Sequence, residues 1–182
     1  MRPFLALTLL TAPLGAQVIP SLPNVSGELA FDASATLGDF TGRTTMLSGR
    51  LVGATSLGGV SGWVEAPARS IITGNGKRDR DMYKSLGVEE HPTLRFELDA
   101  VAAGGTDGDS IPVTLRGRFT VHGVTKTHAV PGWIWLGSGT VRFRGRLPMN
   151  VEDYDIGGLS KMLGLLKMGE MIVVRIDVTF SR

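Results

Sequence analysis

The side chains able to do chemistry are few and scattered. The 182 residues hold three histidines and no cysteine, so thiolate catalysis and cysteine-based zinc sites are excluded. His122 and His128 flank the turn Gly-Val-Thr-Lys-Thr and can face each other across a hairpin. A histidine pair can hold a metal, but two ligands are too few, and a turn histidine hydrogen-bonded to backbone is the preferred reading. Arg78, Asp79, Arg80 and Asp81 alternate in charge, as a solvated helix face does; Arg78 is the candidate to meet a polar head group. Asp153 and Asp155 would need a polar cleft and a partner for acid–base work, and the sequence offers neither. Asp153 is kept as a second head-group candidate. With no serine elbow or phosphate loop either, no catalytic residue, metal or cofactor is assigned and the chain is not read as an enzyme.

The elements that must carry these residues are strands. Leu29, Phe31, Ala33, Ala35 and Leu37 alternate with Glu28, Asp32, Ser34 and Thr36, the period of a strand with one face buried. The same alternation recurs at Leu47 to Leu51, Val60 to Ala66, Leu94 to Ala100, Val113 to Val121, Val141 to Leu147 and Ile172 to Phe180, with glycine-rich turns between. Many amphipathic strands in series mean a sandwich or a barrel. Trp133 and Trp135 share one phase of Pro-Gly-Trp-Ile-Trp-Leu and are read as facing inward; Trp63, next to Gly62, faces outward, as does the stripe Arg142, Arg144 and Arg146. Two stretches break the rhythm, Lys77 to Leu86 and Leu159 to Lys167, and both predict short helices. The second reads as a lid on the barrel mouth or seam.

Gly49, Gly62, Gly117 and Gly145 fall in the phase of the buried side chains. Glycine relieves strain where barrel strands bend, but several together would also hollow out a space. An eight-stranded barrel has room for packed side chains or for one small ligand. The expected lining is Phe31, Gly62, Phe96, Leu115, Gly117, Phe119, Trp133, Phe143, Gly145, Val174 and Ile176. Such a wall binds by apolar burial alone. Each CH₂ gains about 0.8 kcal/mol against an association cost of roughly 4–15 kcal/mol, so only long chains bind: lipid tails, quinones and polyprenyl chains, not sugars or nucleotides.

Hydrophobic residues make up 42% and charged residues 20% of a chain long enough for one domain. Lys+Arg number 19 against Asp+Glu 17, a balance that gives nucleic-acid binding no support. Arg2, the apolar run Phe4 to Leu14 and the small residues Gly15 and Ala16 read as a signal peptide cleaved near Ala16. The chain then divides into that segment (1–16), an extended proline-bearing leader (17–26) and a barrel domain (27–182). Export without cysteine leaves packing alone to hold the fold.

The stretch Ser70 to Leu98, with Ser70, Thr73, Gly74, Asn75, Arg78, Asp79, Asp81, Met82, His91, Pro92 and Phe96 at fixed spacing, resembles the signature region of the YceI-like family of periplasmic, lipocalin-like, polyisoprenoid-binding proteins. Arg116 to Lys126 resembles the family's His-Gly-Val-Thr-Lys hairpin, and Met149 to Phe180 its closing segment. Departures lie at Val151, Asp155, Gly157 and Gly158, where many members carry Arg at the first position and Gly at the second, and one branch carries prolines near the last two. The resemblance implies an all-β, eight-stranded antiparallel barrel with one or two short helices, a non-catalytic role in binding an isoprenoid lipid or quinone in the periplasm, and a lean toward a homodimer. The competing expectation is a structural or stress-protective envelope protein whose barrel is filled by its own side chains.

Overall fold

The computed structural model describes residues 18–36, 38–105, 108–157, 160–161 and 166–182; the expected signal segment, residues 1–16, lies outside them. The alternating segments form β1 (Asn24–Ala35), β2 (Phe40–Thr44), β3 (Ser48–Val52), β4 (Ser61–Pro67), β5 (Thr93–Ala103), β6 (Ile111–Val121), β7 (Val124–Gly137), β8 (Thr140–Asn150), β9 (Ser160–Lys161) and β10 (Leu166–Ser181), with one α-helix among the described residues, α1 (Gly76–Ser85), between β4 and β5. All pairings are antiparallel, in the order β2-β1-β10-β8-β7-β6-β5-β4-β3, and β9 pairs with the start of β10.

That path holds nine strands where eight were expected, and the extra one comes from a split. β2 lies at one end of the path, β3 at the other, and only residues 45–47 separate them. They are two halves of one crossing whose first half pairs with β1 and whose second pairs with β4, so the chain itself closes the curled sheet into a barrel. Single backbone pairings reinforce the seam: Leu22 with Leu51, Ile19 with Ala54, and Arg43 with Ile72. The extended leader thereby contributes core, with Ile19 and Leu22 fully buried.

Directly opposed residues share a face, so the register decides what points inward. Phe31 opposes Val174, Leu29 opposes Ile176, Phe96 opposes Phe119, and Phe143 opposes both Ile134 and Val178. Two placements differ from the sequence reading. The register of β5 against β6 shifts between Leu98 and Ala100, which turns Ala100 outward beside Arg116 and sends Val101 into the core. Trp133 is 48% exposed while Ile134 is 4%. Trp133 opposes Arg144 and Trp135 opposes Arg142, so both indoles stand on the outer face with the arginine stripe. Bulk alone had suggested burial; the neighbours Val130 and Ile134, both buried, set the true phase.

The expected helix over Lys77 to Leu86 is α1. The second expected helix is not seen in its described part: Ser160–Lys161 and Leu166–Lys167 pair as antiparallel strand, and residues 162–165 lie outside the described residues.

Candidate functional site

The Ser70 to Asp79 segment builds one end of the barrel. Ser70 Oγ donates to the Pro67 carbonyl (2.6 Å) and meets Thr44 Oγ1 (2.7 Å), tying the seam strand β2 to the turn after β4. Thr73 donates twice to Asp79 Oδ1, from its backbone N–H at 2.9 Å and its hydroxyl at 2.6 Å. Asn75 caps α1, its Oδ1 accepting from the N–H groups of Lys77 and Arg78 at 3.1 Å each. Gly74, at φ +77°, supplies the left-handed step that turns the chain into the helix. Tyr83 Oη donates to the Ile71 carbonyl (2.7 Å) and pins the helix to the segment that follows β4. These contacts lay α1 across the barrel end with Arg78, Asp81, Met82, Ser85 and Leu86 turned toward the interior, a stripe at helical spacing.

Under that stripe lies a cavity of ≈ 420 Å³. Phe31, Phe40, Ile71, Met149, Ile156, Met168 and Ile172 are among its apolar walls. Arg78 stands at the rim, its guanidinium 4.2 Å above the Phe40 ring, an arrangement that holds the charge over an aromatic face and leaves N–H donors for a ligand's polar end. A second space of ≈ 80 Å³ continues deeper, lined by Gly62, Phe96, Leu98, Leu115, Phe143, Ile176 and Phe180 among others. Leu29, Leu94, Phe119 and Val174 line both spaces and form the waist between them.

The inward glycines make room for rings and for close strands. A Cβ on Gly117 would lie 2.5 Å from Phe96 Cζ, and one on Gly145 would lie 2.5 Å from Phe143 Cζ. Gly132, directly opposite Gly145, also lies under the Phe143 ring, and Gly42 lies under Phe31. Each glycine is a seat on which a phenylalanine lies against the wall. Gly49 and Gly62 carry no ring and sit against neighbouring backbone alone, a Cβ on either meeting a carbonyl oxygen of the paired strand, as it would on Gly117 and Gly132 too. The volume a side chain would fill is therefore taken by rings or by closer strands.

Of the expected lining, Phe31 reaches the large cavity, Phe119 and Val174 reach both spaces, and Gly62, Phe96, Leu115, Phe143 and Ile176 reach the small one. Gly117 and Gly145 are covered by their rings, and Trp133 faces outward. Arg78 is at the cavity rim; Asp153 is exposed on the turn Val151–Tyr154 and is not part of the lining. Sequence reading missed Phe40, Met149, Met168 and the helix pair Met82 and Leu86. The helical stripe was visible in the sequence, but the direction in which it points was not.

The two hairpin histidines both turn to Tyr154, and among the described residues they belong to no cluster of three or more metal-ligating side chains. His122 (φ +51°) and Gly123 (φ +74°) make the two-residue β6–β7 turn, the left-handed pair a tight hairpin needs. His122 Nδ1 donates to the Tyr154 carbonyl at 3.0 Å, and His128 Nε2 lies 2.6 Å from the Tyr154 phenol. Tyr154 is fully buried, and burial with the nearby Asp153 charge pushes its pKa up to about 12. Burial lowers that of His128. A neutral phenol donating to a neutral imidazole satisfies both. Histidines and tyrosine together latch the Val151–Tyr154 turn, and Val151 within it and Ile156 just after it wall the cavity.

A closed antiparallel barrel with an apolar cavity beneath an end helix is the architecture of the lipocalin-like barrels that bind lipophilic ligands. Residues 22–180 match the YceI-like domain, and the chain belongs to the YceI-like family. Solved structures agree in fold. A polyisoprenoid-binding domain from Saccharophagus degradans, described as implicated in plant cell wall breakdown, superposes with a TM-score of 0.71 at 16% identity, covering 88% of this chain and 97% of that one. Burkholderia cenocepacia BcnA gives 0.70 at 16% identity, over 85% and 96%, and the Campylobacter jejuni YceI protein 0.58 at 14%, over 78% and 84%. No functionally curated protein matches the chain in sequence.

Proposed function

We propose that this protein is a non-catalytic carrier or store for an isoprenoid lipid, working in the periplasm after removal of its signal segment. The observation that carries the reading is the ≈ 420 Å³ cavity with apolar walls and Arg78 at its rim. Apolar walls bind the tail by burial, and the arginine receives a hydroxyl, phosphate or quinone oxygen at the mouth. Membership of the YceI-like family, and the polyisoprenoid-binding description of the Saccharophagus relative, support isoprenoids over other lipids.

The test is to purify the protein from a bacterial envelope, extract it with organic solvent and identify the bound species by mass spectrometry. A prenyl lipid or prenylquinone in stoichiometric amount is expected. A preparation with no lipid, and no uptake of added polyprenol or quinone, would sink the proposal. The signal-segment reading predicts a mature amino terminus close to Gln17, read from the same preparation.

A further inference from the structure

The two spaces on the barrel axis differ about fivefold in volume, ≈ 420 against ≈ 80 Å³, and meet at a waist made by Leu29, Leu94, Phe119 and Val174. Phe119 is the bulkiest of the four. Its ring is wedged edge-on between Phe96 on the deep side (centroids 6.5 Å apart) and the buried Tyr154 on the mouth side (6.1 Å). It packs against both apolar clusters of the protein, so it cannot swing aside without disturbing one of them.

A cavity of roughly 150 Å³ holds a benzene ring, about 25 Å³ per carbon. On that scale the mouth-side cavity takes about 17 carbons and the deeper space about three. An isoprene unit has five carbons, so the room above the waist suits a chain of about three to four units. A longer chain would leave its remaining units in water, where they gain nothing from burial.

We propose that Phe119, with Leu29, Leu94 and Val174, forms the floor of the ligand site and sets the chain length the protein selects, at about three to four isoprene units. This rests on the isoprenoid reading above and adds a length limit to it.

The experiment measures affinities of geraniol, farnesol, geranylgeraniol and solanesol (two, three, four and nine units) for the full mature chain, by competition against a fluorescent prenol. Affinity is expected to rise at least about tenfold per unit up to geranylgeraniol, with solanesol no tighter. Phe119→Ala joins the two spaces, and solanesol is then expected to bind at least about tenfold tighter than geranylgeraniol. Phe119→Leu, the milder change, covers the case in which the alanine variant fails to fold, with thermal unfolding checked for each. A wild-type affinity that keeps rising to solanesol overturns the floor. So does a folded variant whose plateau stays in place. Binding of no prenol at all overturns the isoprenoid reading instead. The floor is then read from straight-chain alcohols, which should level near octadecanol, and a steady rise through docosanol, or no binding, would overturn it too.

Discussion

The two ends of this barrel share strands, alternation and apolar character, yet one is packed and the other is open. In the deep half, Leu22, Leu51, Val113, Leu115, Val130, Phe143, Val178 and Phe180 are all buried in one cluster. At the mouth, Met149, Val151, Tyr154, Ile156 and Ile172 form a second cluster that surrounds a cavity. The cause lies in what closes each end. Leader residues Ile19 and Leu22 plug the deep end as core, whereas the mouth is spanned by a polar ten-residue helix with no buried residue of its own. An open cavity and a largely filled interior, set against each other in the sequence reading, each describe one half of the barrel.

The largest effect that would break this contrast is the loss of a seated ring. Phe143 is 4% exposed and lies over Gly132 and Gly145, so Phe143→Ala is expected to cost about 3–5 kcal/mol in urea unfolding. Met82→Ala, on the cavity side of α1, removes a side chain with fewer packing partners and should cost less than about 1 kcal/mol while weakening ligand retention. Equal losses of stability from the two variants would refute the division into a packed and an open half.

The mouth is nonetheless firm at one point. Tyr154→Phe leaves His128 Nε2 without its phenol donor and is expected to destabilise by about 1–3 kcal/mol, measured in the same unfolding assay. An unchanged midpoint would remove the latch from the account.

His128 then sharpens the comparison through pH. Burial lowers its pKa from the ordinary 6.5, so the unfolded chain takes up a proton at a pH where the folded protein does not. Its contribution is fully present above about pH 6.5 and is lost as the pH falls toward the lower, folded value. Between about pH 7 and pH 5, above the range of most carboxylates, the wild type should lose stability with a slope that His128→Gln flattens. An identical slope in the variant would rule out this histidine as the source.

The strands, their facing and the cavity's apolar character were legible because a period of two is written directly in residue type. Closure was not: the β2–β3 split depends on partners at opposite ends of the sheet path, and although Leu47 to Leu51 alternates over β3, the five residues of β2 show no such pattern. Nor could the glycines be read correctly one at a time. Gly117 makes sense only beside Phe96, and Gly145 only beside Phe143 and Gly132, pairings that arise from register. Trp133 was misplaced for the converse reason, since its size argued for burial while its partners Pro112 and Arg144 lie on the outer face. The Ser70 to Asp79 motif was legible as a motif, and its physical purpose, a capped helix tied to the barrel seam, needed the fold.

The smallest expected effect lies in the mouth turn where the sequence departs from its family. Asp155 ends the Val151–Tyr154 turn at φ +55° and ψ +22°, in the left-handed region, the position at which many family members carry glycine. Aspartate tolerates that conformation better than most residues but still bears a Cβ, which glycine lacks. Its N–H already donates to the Glu152 carbonyl at 3.0 Å, and glycine would keep that bond. Asp155→Gly relieves the left-handed strain but also frees the unfolded chain, and the two effects oppose each other. Strain in a fixed αL position outweighs the entropy term, so a net gain of about 0.5 kcal/mol in unfolding free energy is expected. Ligand retention should be unchanged, because Asp155 is exposed and does not line the cavity. A variant that becomes less stable would mean that the aspartate side chain, and not merely its backbone, holds the turn against the mouth.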